Sequence, residues 1–351
     1  MVFAIVVYDL RRHAFPYLEA SGREWLAWAA ALATTILFFG SVLLHELAHS
    51  FVAKRRGISV SRITLFIFGG VAQVEEEPKG PRDEFLISVA GPAMSVLLGV
   101  AFAGAYALAK VYPGLLLVAQ CLHRVSVVNF ALAIFNMVPG FPLDGGRVLR
   151  SLLWLAWGDI LRATRVASIL GQIVGYMLAG LGAYMGAMSG SLLIGLFYVG
   201  MGLLLATVAR ATYRRERVRF TLNSLPLWRL TVPAEMTFQK GTALSVAAPH
   251  YFTYQPKGLV PILHADELLG VLAGSQIRHI PHAQWPWVAV EDVMEPLRED
   301  LVIRASRPAY EALEHIMRNG QASVIVVDDW GRMQGVVTHG GLSAALGAML
   351  G

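Results

Sequence analysis

The stretch Leu43-Leu44-His45-Glu46-Leu47-Ala48-His49-Ser50-Phe51 puts two histidines four residues apart. On a helix both imidazoles then leave the same face, about a turn apart. Glu46 follows the first of them directly. A neutral imidazole pair suits Zn²⁺, and a carboxylate beside it suits proton transfer from water. Short motifs recur by chance, and many His/Glu pairs on helices are ordinary polar contacts. The setting of this one argues for chemistry. From Trp25 to Phe51 nearly every residue is apolar, a run long enough to cross a bilayer. Ionisable groups inside such a run are costly and by default mark function.

Composition agrees with that reading. Of the 351 residues 56% are hydrophobic and only 15% charged, and the mean hydropathy is +0.55. Soluble domains are usually about a quarter charged. The chain reads as an integral membrane protein with room for one or two soluble domains. Its net charge of +5 is small, and the basic residues gather at the ends of apolar segments. That fits cytoplasmic membrane edges better than a nucleic-acid polymer. The single cysteine, Cys121, lies in an apolar run, which leaves no intramolecular disulfide and no Cys-rich metal site. Residues 1–22 are mixed. Met1–Tyr8 is too short to span a bilayer, and Asp9, Arg11, Arg12 and His13 interrupt it with no basic stretch before it, so no cleavable signal peptide is read there.

Five spans are expected, at about Glu24–Ala53, Phe85–Lys110, Leu115–Val138, Val166–Met188 and Leu192–Ala209. The first ends in Lys54-Arg55-Arg56 and the last runs into Arg210, Arg214, Arg215, Arg217 and Arg219. Both basic ends fall on the cytoplasmic side after an odd number of crossings, so the count is self-consistent. A sixth crossing would require residues 1–22. Between the first two spans, residues 58–74 are rich in β-branched residues and read as a hairpin with Gly69-Gly70 as its turn. It is either a plain connection or an edge on which an extended substrate adds a strand. Glu75-Glu76-Glu77-Pro78-Lys79 reads as a solvated loop. His123 and Arg124, in the third span, read as polar contacts near its outer end.

That span closes in Asn136-Met137-Val138-Pro139-Gly140-Phe141-Pro142-Leu143-Asp144-Gly145-Gly146-Arg147. Its prolines and glycines put irregular backbone at membrane depth, which is tolerated only inside protein or beside a water-filled cavity. Asp144 then stands at the start of a helix over Gly146–Trp157. Helix capping alone would explain it. Two histidines, however, leave a catalytic zinc one protein ligand short, and a carboxylate is a common third. No other acidic residue in a membrane segment lies nearer, so Asp144 is read as the third ligand.

From about Thr231 the composition becomes that of a soluble domain. Leu259–Leu263 followed by Leu268–Leu272, and Ser323–Asp328 followed by Met333–Thr338, make two similar strand–turn–strand units, the second after a helical stretch at Tyr310–Arg318. Such a repeat indicates a pseudo-symmetric pair of small modules. The organisation expected is a transmembrane domain over residues 1–219 and a soluble pair over 220–351, divided at about 231–291 and 292–350.

With these residues assembled, the chain resembles the site-2 protease family of intramembrane zinc metalloproteases, in the branch with a C-terminal pair of CBS modules. The resemblance rests on His45-Glu46-Leu47-Ala48-His49 and Asn136 through Gly146, supported by Phe68-Gly69-Gly70-Val71-Ala72 and Ala90-Gly91-Pro92. It implies a polytopic α-helical membrane domain with a small β element, followed by a cytoplasmic α/β tandem CBS domain. It further implies one Zn²⁺ on His45, His49 and Asp144, Glu46 as general base, and Asn136 as a group that polarises the scissile carbonyl. Substrates would be membrane proteins, and the CBS pair could join two chains as a homodimer or take up an adenine nucleotide. Two departures stand out. The family usually has a full transmembrane helix where residues 1–22 stand. Nucleotide-binding CBS modules usually carry Ser or Thr followed three positions later by Asp, whereas here Thr338 is followed by Gly341 and the first module reads Gly274-Ser275-Gln276-Ile277-Arg278. A CBS-gated transporter or channel, or an inactive relative that binds membrane proteins, would share the architecture. Neither needs the His-Glu-x-x-His motif facing an aspartate.

Overall fold

The computed structural model describes residues 2–15, 18, 22–58, 60–66, 69–74, 78, 80–189, 192–254, 259–298, 301–319 and 323–350. The chain divides into two compact units, Met1–Arg214 and Arg215–Gly351.

The first unit opens with a short helix α1 (Val2–Asp9) that passes into a π-helical turn, Leu10–Ala14. At 1.5 Å per residue these thirteen or so residues rise about 20 Å, short of a hydrocarbon core about 30 Å thick. Then follow α2 (Glu24–Arg55), strands β1 (Val60–Phe66) and β2 (Gly69–Val74), α3 (Pro81–Ala109), α4 (Leu116–Asn136), α5 (Asp144–Trp157), α6 (Ile160–Ser189) and α7 (Leu192–Asn223). Among the described residues, five helical stretches are long and apolar enough to cross a membrane: Glu24–Arg55, Pro81–Ala109, Pro113–Asn136, Ile160–Met188 and Leu192–Asn223. They match the five expected spans. The last continues as helix well past Ala209, so the basic residues from Arg210 to Arg219 lie on it.

These helices are apolar outside and small or polar inside. On α2 the buried stripe is Ala27, Ala30, Ala31, Thr34, Thr35, Ser41, His45, His49 and Ala53. Trp25, Leu32, Ile36, Leu43, Leu44, Leu47 and Phe51 point outward. In water this arrangement would leave large apolar side chains exposed for no gain. In lipid it lets backbones approach closely and sends polar groups inward. The inward hydroxyls find partners locally: Thr34 and Thr35 each donate to the carbonyl four residues back, at 2.7 Å. Across helices, Ser126 on α4 donates to the Gly99 carbonyl of α3 at 2.8 Å, and the Asn129 amide donates to Ser41 Oγ of α2 at 3.1 Å. His123 is exposed and lies against the Tyr106 ring, while Arg124 stacks over Phe15.

The hairpin is antiparallel, with Phe66 opposite Gly69 and Leu65 opposite Gly70. Gly69 and Gly70 are therefore strand residues, not the turn expected of them. The turn expectation rests on glycine alone, whereas pairing with β1 makes both glycines part of the ladder. Residues 75–77 and 79, read as a solvated loop, are also outside them.

The second unit contains the repeated modules. One runs β3 (Phe238–Gln239), α8 (Leu244–Tyr254), β4 (Val260–His264), β5 (Glu267–Leu272), α9 (Gly274–Arg278), α10 (Val290–Val293) and β6 (Glu295–Pro296). The other runs β7 (Val302–Arg304), α11 (Ala309–Asn319), β8 (Ser323–Val327), β9 (Met333–Thr338) and α12 (His339–Leu350). In each, a short strand pairs parallel with the first strand of an antiparallel hairpin, with a helix between them. The sheet orders are β3-β4-β5-β6 and β7-β8-β9. Each module has its own apolar core, around Ile262 and Leu272 in one and Val326 and Val337 in the other. A third cluster, including Leu268, Val271, Leu301, Ile325 and Val327, draws on both. Thr338 Oγ1 accepts the Gly341 N–H at 3.0 Å and so caps α12.

Candidate metal centre

His45 and His49 lie on the buried stripe of α2, one turn apart, with their rings edge-on at a centroid distance of 4.9 Å. Asp144 is the first residue of α5 and arrives from the irregular segment after α4. Its side chain caps nothing. Asp144 Oδ2 lies 3.1 Å from His45 Nε2 and 3.2 Å from His49 Nε2, and the two Nε2 atoms are 3.3 Å apart. The helix begins at Asp144, two residues earlier than the sequence suggested. Gly145 and Gly146 make this early start possible: a β-carbon on either would run into the backbone of residues 137–141.

Helix α3 sets both imidazoles. His49 Nδ1 bonds to the Ile87 carbonyl at 2.6 Å, and His45 Nδ1 bonds to Ser95 Oγ at 2.9 Å. A carbonyl can only accept, so the His49 proton sits on Nδ1 and the neutral ring turns a bare lone pair inward at Nε2. Gly91 lies between those two contacts, and any β-carbon there would collide with both Nε2 atoms. The helices run antiparallel here, since Arg56 at the end of α2 also meets Asp83 at the start of α3, at 3.3 Å.

Electron-rich atoms packed this closely repel one another unless a cation stands between them. Around a tetrahedral ion with ligands at about 2.0–2.1 Å, neighbouring ligand atoms lie about 3.3 Å apart. The observed spacings of 3.1, 3.2 and 3.3 Å suit such an ion. Outer partners on both histidines are also what a metal site requires. Among the described residues no other set of three His, Cys, Asp or Glu side chains converges in this way.

Glu46 is half-buried beside His45. At 100° per residue it lies between the directions of the two histidines and the outer face of α2. Asn136, the last residue of α4, is partly exposed and stands outside the three-residue cluster. No hydrogen bond of its side chain is found among the described residues. Sequence reasoning missed Ser95, the Ile87 carbonyl and the steric role of Gly91. The last had a signal in Ala90-Gly91-Pro92. The other two had none, because a serine and a backbone carbonyl in an apolar helix carry no motif.

An inside-out helical bundle with a buried His–His–Asp cluster defines an integral membrane protein with a polar centre inside its fold. Residues 33–114 and 115–181 match Peptidase family M50. A Synechocystis sp. protein named "Putative zinc metalloprotease" is 32% identical over 334 residues, covering 94% of this chain and 85% of that one. The chain belongs to peptidase family M50, the site-2 protease family. The solved site-2 protease from Methanocaldococcus jannaschii is similar over 60% of this chain and 86% of its own, with 30% identity and a TM-score of 0.41. The CBS domain of a bacterial CNNM/CorC family Mg²⁺ transporter is similar over 38% of this chain and 82% of its own, with 18% identity and a TM-score of 0.31.

Proposed function

We propose that this chain is an intramembrane zinc metalloendopeptidase that cuts membrane proteins within or near their transmembrane segments. The convergence of His45 Nε2, His49 Nε2 and Asp144 Oδ2 inside the helical unit carries this reading. These three side chains would hold one Zn²⁺ per chain, and the ion would supply Lewis acidity and make water a stronger acid.

The protein's own groups do the rest. The Ile87 carbonyl fixes the His49 tautomer so that its Nε2 lone pair points inward, and Ser95 holds the His45 ring in place. Gly91 leaves the space beside them clear. Glu46 takes the proton of the attacking water and returns it to the departing amine nitrogen. Asn136 donates its side-chain amide to the scissile carbonyl. A substrate helix must unwind to offer that carbonyl, and the β1–β2 hairpin provides an edge for the unwound strand. The α/β unit is a CBS pair on the cytoplasmic side of the cell membrane. It regulates cleavage and joins two chains, and its Thr338 is spent on capping α12 through Gly341.

Metal analysis and a membrane-substrate cleavage assay on the wild type, Glu46→Gln and Asp144→Ala test the reading. The wild type should carry one zinc and cleave. Glu46→Gln should keep the zinc and lose about 10²–10⁴-fold in rate. A Glu46→Gln protein that still cleaves at the wild-type rate would overturn the assignment.

A further inference from the structure

Glu84 and Arg150 form an ion pair behind the metal cluster that the chemistry above does not use. Glu84, in the first turn of α3, is completely buried. Arg150, six residues beyond Asp144 on α5, donates from Nε to Glu84 Oε1 at 2.7 Å, and its second guanidinium nitrogen donates to the same oxygen. Arg147 Nε lies 3.9 Å from that oxygen as well. The other carboxylate oxygen, Oε2, has no hydrogen-bond partner among the described residues. Arg150 also stacks over the ring of Phe141, 5.3 Å away, in the irregular segment that leads to Asp144.

A buried ion pair is a poor device for stability, because two apolar side chains of similar volume usually serve as well or better. Its best-attested use is to fix register. Here the elements it joins are telling. Helix α3 already orients both histidines, through Ile87, Gly91 and Ser95. Arg150 refers α5, and with it Asp144, to that same helix. The glycine contacts of α5 fix it only against its own leading segment, residues 137–141. A slip of α5 by a single residue along its axis would move Asp144 by about 1.5 Å. Metal–ligand distances tolerate only about 0.2 Å.

We propose that Glu84 and Arg150 are positioning residues that set where α5 presents Asp144 to His45 and His49. This inference rests on the metal reading above. The test uses the full chain in detergent, with Glu84→Gln, Arg150→Lys and the apolar double variant Glu84→Leu/Arg150→Met. Three quantities are measured: the unfolding temperature without metal, the affinity for Co²⁺ and the absorption spectrum of bound Co²⁺. The double variant should unfold near the wild-type temperature. Its Co²⁺ should bind about 10- to 100-fold more weakly, the range seen when outer partners of metal ligands are lost, and with a changed spectrum. Arg150→Lys keeps the charge but loses the two-pronged contact, and should show a smaller change in the same direction.

Wild-type affinity and spectrum in a folded double variant would overturn the proposal. So would a double variant that does not fold, since the pair would then be a requirement of folding. A wild-type chain that takes up no Co²⁺ would instead remove the metal reading itself, which separates the two failures.

Discussion

Two buried polar clusters lie on the inner face of α3, and they are opposites. At Glu84 a carboxylate meets two arginines, so charge is answered by charge within the protein. At His45, His49 and Asp144 three electron-rich atoms face one another 3.1–3.3 Å apart, and no cationic side chain is among them. One cluster contains its own cationic side chains, whereas the other presents three ligand atoms spaced to fit a cation. The contrast shows how burial alone misleads: both sets are costly to bury, yet among the described residues only the unbalanced one has side chains converging as metal ligands do.

The largest effect should come from the unbalanced cluster. Asp144→Ala removes a ligand, and zinc content should fall from about one per chain to near zero. Cleavage should drop by more than about 100-fold, since even outer partners are worth 10–100-fold. In the Glu84 cluster, removal of one partner alone should show in stability as well. Glu84→Ala strands a buried guanidinium and should cost about 3–5 kcal/mol, read from denaturant unfolding of metal-free protein. His49→Ala, in the same metal-free assay, relieves repulsion and should cost far less. If His49→Ala proved the more damaging of the two, the contrast would collapse.

Smaller changes sharpen it. Gly91→Ala is favourable for a helix by about 1 kcal/mol, so any loss must come from the new methyl group pushing the imidazoles apart. Zinc affinity should fall by at least about tenfold while the fold persists. Ser95→Ala frees the His45 ring to turn and should weaken zinc by about tenfold, measured by competition with a chelator. The surface provides the control. Glu291 accepts the Gly241 N–H at 2.8 Å, and that backbone hydrogen bond holds its carboxyl below the usual range. Its contribution is therefore present above the unfolded carboxylate pKa of about 4.3 and fades as pH falls through the lower folded value. Glu291→Gln should change stability at neutral pH by no more than about 0.5 kcal/mol.

Much of this was legible without coordinates. Hydropathy marked five crossings because lipid requires long uninterrupted apolar helices. The four-residue spacing of His45 and His49 put them on one face. The prolines and glycines before Asp144 marked broken backbone at depth. Local signals served less well where a residue's meaning depends on its neighbour across a gap. Gly69-Gly70 looked like a turn and lies in a strand, because register is set by pairing with β1 and not by glycine. Glu84 carried no signal in the sequence, and it is completely buried against Arg150.

The sequence by itself determined that His45 and His49 share one face within a membrane span and which chemistry that pair suits, because helical period and lipid burial act along a single helix. Only the tertiary structure decided that Asp144, 95 residues beyond His49, meets both rings. It also decided that one helix, α3, orients the two imidazoles and anchors α5. Those facts depend on how separate helices pack, and packing is set by complementary surfaces that no single segment contains.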